Sequence, residues 1–227
     1  MIANVLDRFQ LSLQGSVLEI GPASGGNRSL FGDFESYLGM ECNELAVRLA
    51  PADLRRNKEL IHGCWPEDRS LLGGRKFDLV ALLDVVEHLD DPASALRHTG
   101  EILSPGGKVL ITVPAYQWMW SVHDLEMHHK RRYTGRSLRG LLDRTGFEVE
   151  FSTYFNSLLF LPAVVARKLG TLLSVKANPG YGIPPRPVNK VLSNVLGAEA
   201  EFLKFARLPF GLSILAVAHA KGANGVG

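Results

Sequence analysis

Runs of hydrophobic residues alternate along the first two thirds of the chain with segments whose apolar positions repeat at helical spacing. Five of the runs are candidate strands, at residues 16–20, 35–41, 59–63, 77–83 and 108–113. The run at 77–83 (FDLVALL) is apolar at nearly every position, which is typical of a strand buried on both faces of a parallel sheet. The helical spacing predicts helices at 43–55, with an interruption at Pro51, at 92–103 and near 135–145. SPGG at 104–107 is expected to be a turn.

Strands separated by helices indicate parallel pairing with right-handed crossovers, and therefore an α/β fold. Two further strands are expected at 147–153 and 212–219, with a helical insertion at 155–208 between them. Prolines and glycines at 178–187 (NPGYGIPPRP) predict a break within this insertion. We expect one domain over residues 1–221, followed by a frayed tail at 222–227.

Composition excludes several classes of protein. Of the 227 residues, 46% are hydrophobic and the net charge is only +2, so disorder and a nucleic-acid partner are both disfavoured. The longest apolar stretch, 158–166, is too short for a membrane span, and the first ten residues lack the pattern of a signal peptide. Cys42 and Cys64 are too few for a disulfide framework or a Cys-x-x-Cys metal site, so Cys64 is expected to be a small buried residue without a redox role in a reducing cytoplasm.

The segment VLEIGPASGG, residues 17–26, joins a predicted buried strand to a glycine-rich turn and then to a helix. Glycine lets the backbone approach a ligand closely, and the first turn of a helix offers unpaired N–H groups. Glu41 ends the next strand, 20 residues after Gly21, where a carboxylate can accept hydrogen bonds from both hydroxyls of a ribose. The pattern therefore predicts a nucleoside-containing cofactor.

Two cofactor classes use such a turn. Gly21, Ala23 and Gly26 form a degenerate version of the dinucleotide pattern G-x-G-x-x-G. Equally, Glu19, Gly21, Ala23 and Gly25 match the pattern E/D-x-G-x-G-x-G of S-adenosylmethionine enzymes, with Ala23 in place of the middle glycine. Pro22 favours the second class, because proline removes a backbone N–H that could bind a pyrophosphate.

Several motifs in order resemble class I S-adenosylmethionine-dependent methyltransferases, most closely the bacterial groups called methyltransferase type 11, 12 or 23. The resemblance covers residues 15–155 and 208–221, and it is carried by VLEIGPASGG, GMECNELAV, FDLVALLDVVEHLDDP, LSPGGKVLITVP, HDLEMHHKRRYT and LPFGLSILAVAHAK. It implies a Rossmann-like, doubly wound sheet of seven strands in the order 3-2-1-4-5-7-6, with strand 7 antiparallel.

The resemblance also implies roles for the cofactor site. Glu19, Gly21, Ala23 and Gly25 would form the turn beside the methionine part of S-adenosylmethionine, with Ala23 in place of the middle glycine. Glu41 would hold the ribose, and Leu83 and Asp84 would lie by the methionine ammonium. Cys64 stands where related proteins present an aspartate to the adenine, and the neighbouring Trp65 offers a flat apolar face to the ring.

Polar residues after the fourth and fifth strands are the candidate catalytic groups, because the carboxyl ends of parallel strands face the ligand crevice. The first is His88, a candidate base or acceptor-positioning residue, with Glu87 beside it placed to orient it. The second group lies in SVHDLEMHHKRRYT, residues 121–134, and comprises His123, Asp124, His128, Arg132 and Tyr133. His123, Asp124 and His128 are also metal-ligand types, but without the spacing of a known metal helix we expect no metal.

Two apolar features leave alternatives open. Tyr116, Trp118 and Trp120 form a stripe that either lines a substrate pocket or packs in the core. The segment 155–173 is apolar on more than one face, so it forms a lid or dimer surface, or touches a membrane or lipid acceptor with help from Arg167 and Lys168.

The expected function is methyl transfer from S-adenosylmethionine to a small-molecule or lipid-like acceptor, with oxygen the favoured target because a histidine base then has a role. A nicotinamide-dependent oxidoreductase and a non-catalytic S-adenosylmethionine-binding protein are the alternatives. None of the five tyrosines is followed four residues later by lysine, so the short-chain dehydrogenase pattern is missing. A nucleic-acid methyltransferase is disfavoured, since DVVEH stands where an NPPY-type element would be expected. We expect a cytoplasmic protein, with peripheral membrane contact and a homodimer as open possibilities.

Overall fold

The computed structural model describes residues 2–9, 15–32, 34–165, 186–203 and 205–222. In this part of the chain the strands are β1 Ser16–Ile20, β2 Ser36–Glu41, β3 Leu60–His62, β4 Phe77–Leu83, β5 Leu103–Pro114, β6 Phe147–Phe155 and β7 Ser213–Ala220. The helices are α1 Ile2–Arg8, α2 Glu44–Leu49, α3 Ala52–Arg56, α4 Pro92–Glu101, α5 Val122–Glu126, α6 Gly135–Arg144, α7 at residues 160–165 and α8 Arg186–Phe202.

The strands form one seven-stranded sheet in the order β3-β2-β1-β4-β5-β7-β6. β1 to β5 pair in parallel, whereas β7 pairs antiparallel with both β5 and β6. The predicted α/β fold, its strand order and the antiparallel last strand are therefore confirmed.

Each face of the sheet carries its own hydrophobic core. Successive residues of β4 show the division, because Leu79 packs in one core and Val80 in the other. The core of Val80 also contains Leu96 of α4 and Leu141 of α6, and the core of Leu79 contains Val5 of α1. Because β4 is covered on both sides, its sequence is apolar at almost every position, as the pattern predicts.

One local prediction is confirmed and another is wrong. The helix expected at 43–55 is divided at Pro51 into α2 and α3, as predicted, because proline cannot continue the hydrogen bonding of the first helix. The turn expected at SPGG lies within β5, which begins already at Leu103. Gly106 has a φ of +78°, and the pairing with β4 shifts register between Phe77 and Leu79, so an irregular strand accommodates these glycines.

The expectation of free thiols is also wrong, because Cys42 and Cys64 are joined by a disulfide bond. Glu41 and His62 are paired in the parallel strands β2 and β3, so the residues that follow these strands emerge side by side. The two Cα atoms lie 4.4 Å apart although 22 positions separate them in the sequence. Counting cysteines excludes a framework of several disulfides but does not exclude a single one.

The insertion predicted at 155–208 is described at both ends, with Phe155 belonging to β6. Glu199 of α8 accepts hydrogen bonds from the backbone N–H groups of Ser157 and Leu158, at 2.9 and 3.2 Å, so α8 is tied to the beginning of the insertion. Residues 166–185, which include Arg167, Lys168 and most of the predicted break, lie outside the described residues. Arg186 begins α8, so the predicted break does not extend to the end of 178–187.

None of the helices in the described ranges is both long enough and apolar enough to cross a membrane. The single-domain boundaries, the tail and the cytoplasmic location remain predictions.

Removal of the N-cap of α6 is expected to lower the stability of the protein. The Thr134 hydroxyl accepts a hydrogen bond from the backbone N–H of Ser137 at 3.1 Å. A Thr134→Ala variant should lose about 1 kcal/mol of unfolding free energy, measured by urea denaturation. An unchanged midpoint of urea denaturation would show that water replaces the hydrogen bond between the Thr134 hydroxyl and the Ser137 N–H.

Candidate functional site

The glycine-rich turn leaves the end of β1 in a conformation that few side chains tolerate. Gly21 and Gly25 have φ values of +68° and +85°, and the N–H of Gly21 donates to the carbonyl of Met40 at 2.9 Å. A Cβ atom at Gly21 would lie 2.8 Å from the side chain of Val85, and one at Gly25 would lie 2.4 Å from that of Leu54. Backbone conformation and packing therefore both require glycine here.

Ala23 shares this left-handed conformation, with a φ of +51°. Its backbone N–H donates to Glu41 Oε2 at 2.8 Å, while Glu41 Oε1 accepts from the N–H of Asn43 at 2.7 Å. Glu41 therefore faces the turn and connects it to the end of β2. A carboxylate has about four acceptor positions, so two remain for a ligand.

Glu19 lies beneath the turn and is buried. Its carboxylate accepts hydrogen bonds from the Tyr37 hydroxyl at 2.7 Å and from Asn27 Nδ2 at 2.9 Å. Burial raises the pKa of Glu19, and these two hydrogen bonds oppose the increase. The contacts show that Glu19 fixes the turn from within.

A cavity of about 340 Å³ lies beyond Glu41, where β2 and β3 end. Cys42, Cys64 and Trp65 line it on one side, and His88 and Leu89 on the other. The Trp65 indole N–H donates to the carbonyl of Ala95 at 3.3 Å, which holds this buried ring against α4. The predicted adenine-side residues are thus brought together.

A second cavity, of about 380 Å³, opens at the carboxyl ends of β4 and β5. Its polar lining comes from the segments after β4, β5 and β6 and from the start of β7, and is formed by Asp84, Glu87, His88, His123, His129, Arg132, Asn156 and Ser213. The segment 84–88 connects the two cavities with the turn, because His88 lines both cavities and Val85 packs beside Gly21.

Asp84 begins this connecting segment with a φ of +53°. Its backbone N–H donates to Thr112 Oγ1 at 3.0 Å, and the same hydroxyl donates to Asp84 Oδ1 at 3.1 Å. The residue opens onto the cavity, yet its carboxylate is largely surrounded by protein, and this loss of hydration raises its pKa. Leu83, in contrast, is half-buried and packs against the core on the α1 side of the sheet.

Glu87 is fully buried, and in the described part of the chain neither of its carboxylate oxygens has a hydrogen-bond partner. Burial and the neighbouring charge of Asp84 raise its pKa to about 8. His88 and His129 lie beside it, with their rings nearly perpendicular and 4.8 Å apart between centroids. Burial, followed by the nearby His129, lowers the pKa of His88.

Asp124 holds the far wall of the cavity together. Its buried carboxylate accepts from Arg132 Nε at 2.7 Å and Nη2 at 3.0 Å, and lies 2.9 Å from His129 Nδ1. It also accepts from the backbone N–H of Ser121 at 2.8 Å. Burial alone would raise the pKa of Asp124, but the hydrogen bonds from Arg132 and His129 outweigh it and lower the pKa to about 2. Asp124 is therefore a charged positioning residue for His129 and Arg132.

The other predicted catalytic residues are not all in the site. His123 lines the cavity, whereas His128 is exposed and is not among the lining residues. Tyr133 packs in the hydrophobic core, where burial raises its pKa to about 12. His129 was not among the predicted catalytic residues, although it stands next to His128. Glu87 was predicted only as a residue that orients His88, although an acid directly before a candidate base could have indicated a role of its own.

The aromatic stripe after β5 packs against β6 and α7. Tyr116 stacks on Tyr154 of β6 with ring centroids 5.3 Å apart, and Trp118 meets Phe160 of α7 edge to face at 6.1 Å. Neither Tyr116 nor Trp118 lines the described cavities, which favours the packing alternative. Trp120 is half-buried.

The strand order and the glycine-rich turn together define a Rossmann-like methyltransferase fold, and comparisons with known proteins agree. Residues 1–151 match the model of a family described as a methyltransferase domain. The chain is 30% identical over 137 residues to a probable S-adenosylmethionine-dependent methyltransferase of Mycolicibacterium smegmatis, covering 59% of this chain and 52% of that protein. It thus spans about half the length of this curated relative.

Solved structures share the fold. An S-adenosylmethionine-dependent methyltransferase from Archaeoglobus fulgidus superposes with a TM-score of 0.59 at 16% identity, covering 96% of this chain and 92% of that one. One from Mesorhizobium loti gives a TM-score of 0.58 at 15% identity, covering 95% and 97%. On the family match, the chain belongs to the class I S-adenosylmethionine-dependent methyltransferases, whose cofactor is S-adenosylmethionine.

The residues present fit this cofactor. Gly21 and Gly25 hold the left-handed turn at the end of β1, and Glu41 retains acceptor positions beside this turn. The 340 Å³ cavity begins at Cys42, the residue after Glu41, and extends past Trp65. The expected aspartate is replaced by Cys64, whose sulfur is bonded to Cys42, so no carboxylate at this position can accept from the adenine amino group.

Proposed function

We propose that the protein transfers a methyl group from S-adenosylmethionine to a hydroxyl of a small-molecule or lipid-like acceptor held in the 380 Å³ cavity. The observation that carries this proposal is the position of segment 84–88, which packs against the cofactor turn and also lines that cavity. When bound, the cofactor supplies an electrophilic methyl group. The chain must then bind the acceptor, exclude water and take up a proton.

His129 is placed to serve the proton transfer. With Nδ1 directed at Asp124, its Nε2 faces the cavity and lies 4.0 Å from Glu87 Oε1. Asp124 fixes the ring orientation, and Arg132 fixes Asp124, so the imidazole keeps a single direction. This base–orienter arrangement suits removal of a hydroxyl proton and supports oxygen as the methylated atom.

The walls of the cavity support an acceptor with an apolar part. Met127, Ala163 and Leu212 line it, and α7 connects it to the protein surface. Large apolar side chains are exposed on or next to α7: Trp118, Leu158, Leu161, Val165 and Phe210. The same surface supports the proposed peripheral contact with a membrane.

Incubation of the purified protein with S-adenosylmethionine carrying a ¹³C-methyl group tests the proposal. Separate arms contain water-soluble and lipid fractions of a cell extract, and the label in the product is located by NMR. We expect an oxygen-bound methyl group, and His129→Asn should reduce its rate of formation by about 10²-fold or more. The surface variant His98→Gln is the control.

A methyl group on carbon or nitrogen would overturn the choice of acceptor atom. If S-adenosylhomocysteine binds but neither fraction is methylated, the protein is a non-catalytic cofactor-binding module and the proposed activity fails.

A further inference from the structure

We propose that Glu87, His88 and His129 bind a divalent transition-metal ion in the wall of the 380 Å³ cavity. One ligand atom from each residue can be chosen so that all three lie within 4.8 Å of one another. Metal–ligand bonds of about 2.1 Å place neighbouring ligand atoms about 3–4 Å apart, so a small contraction would complete the set. The 4.0 Å between His129 Nε2 and Glu87 Oε1 already lies within this range.

The burial of the Glu87 carboxylate without hydrogen-bond partners independently indicates that this site binds a cation. Its side chain is fully buried, and both carboxylate oxygens are without hydrogen-bond partners among the described residues. A buried polar group without a partner is costly, and a buried carboxylate is normally paired or bound to a metal. His129 Nε2 lies 4.0 Å from Glu87 Oε1. This separation is beyond hydrogen-bond distance and leaves room for an ion between the two groups.

Asp124 supplies the outer support that metal-bound histidines usually have. It holds Nδ1 of His129 at 2.9 Å, which leaves Nε2 as the ligand atom. A carboxylate on the other ring nitrogen fixes the orientation of a ligating histidine and increases its basicity. Arg132 in turn holds Asp124 in place.

Two imidazoles with one carboxylate favour ions such as Zn²⁺, Mn²⁺, Co²⁺ or Fe²⁺ over Mg²⁺, which prefers oxygen ligands. Three protein ligands leave coordination positions open toward the cavity. An ion bound there would occupy Nε2 of His129, which then could not accept a proton. With the ion bound, an acceptor hydroxyl on the metal would have a lowered pKa and would release its proton to water, so His129 would act as the base only in the metal-free protein. Resting on the proposed function, this predicts an acceptor that offers the ion an oxygen atom.

Calorimetric titration of the chelator-treated full chain with Co²⁺ or Mn²⁺ tests the site, without cofactor or acceptor. One ion should bind per chain, and the absorption spectrum of bound Co²⁺ should indicate nitrogen ligands. Glu87→Gln and His129→Gln should each weaken binding by about 10²-fold or more, whereas His98→Gln on the surface of α4 should bind as the wild type does.

Thermal unfolding distinguishes a variant that has lost a metal-binding side chain from a variant that has misfolded. Glu87→Gln leaves a neutral side chain of nearly the same shape, so without metal it should unfold close to the wild-type temperature. Saturating metal should raise the wild-type midpoint and leave that of Glu87→Gln unchanged.

No stoichiometric binding at millimolar metal, or equal binding by wild type, Glu87→Gln and His129→Gln, would overturn the site. This outcome is distinct from failure of the proposed function, because metal binding is measured without any methyl transfer.

Discussion

Replacement of Asp124 by Asn is expected to lower the unfolding free energy by about 3–5 kcal/mol, because it leaves the buried guanidinium of Arg132 without its counter-ion. Both side chains are almost fully buried, with 5% of Arg132 and 0% of Asp124 exposed. The amide can still accept hydrogen bonds, but it carries no charge. It would also turn one N–H donor toward the donors of Arg132, His129 or Ser121.

Urea denaturation of wild type and Asp124→Asn measures the difference. Asp143→Asn is a matched control, because it breaks the exposed ion pair with Lys221 and should leave the midpoint nearly unchanged. Equal midpoints for Asp124→Asn and the wild type would show that water or nearby carbonyls solvate Arg132 adequately.

Glu41→Gln is expected to weaken binding of S-adenosylhomocysteine by about 10–100-fold. A hydrogen bond to a charged group contributes about 1.5–3 kcal/mol, and each 1.4 kcal/mol corresponds to a factor of ten. Glu41 accepts from the backbone N–H groups of Ala23 and Asn43, and an amide can accept from both only through its single oxygen. The variant should therefore disturb the turn as well as the proposed ribose contact.

Isothermal titration calorimetry measures this affinity, and Glu44→Gln, on the exposed surface of α2, is the control. Unchanged affinity in Glu41→Gln would remove the ribose role from Glu41. A variant that binds normally but unfolds more easily would assign Glu41 to the turn alone.

The fold was predictable because its strongest signals are local. β4 appears at Phe77–Leu83 as the apolar run predicts, since a strand covered on both faces must be apolar throughout. The order of the motifs indicated the family that the chain resembles, and that resemblance implied the strand order. Hydrophobic periodicity alone does not predict a strand order. The break at Pro51 was also predictable, because proline ends a helix whatever surrounds it. An error arose where a strand tolerates glycines, as at Gly106.

The site was predictable at the level of its loops but not of its individual side chains. His128 and His129 are adjacent in the sequence, yet a positive φ of +56° at His128 leaves it exposed while His129 faces Asp124. Tyr133 lies in the same polar segment and nevertheless points into the core. The orientation of each side chain depends on tertiary contacts, which cannot be deduced from the spacing of polar residues in the sequence.

The covalent link between Cys42 and Cys64 has a consequence for the cavity next to Glu41. It joins two positions that are 22 residues apart, so the intervening chain has fewer conformations to explore even when no nucleoside is present. A cofactor bound in this cavity would therefore have less of the wall to order, and its association would have less entropy to overcome. A rigid wall would then compensate for the carboxylate that Cys64 replaces.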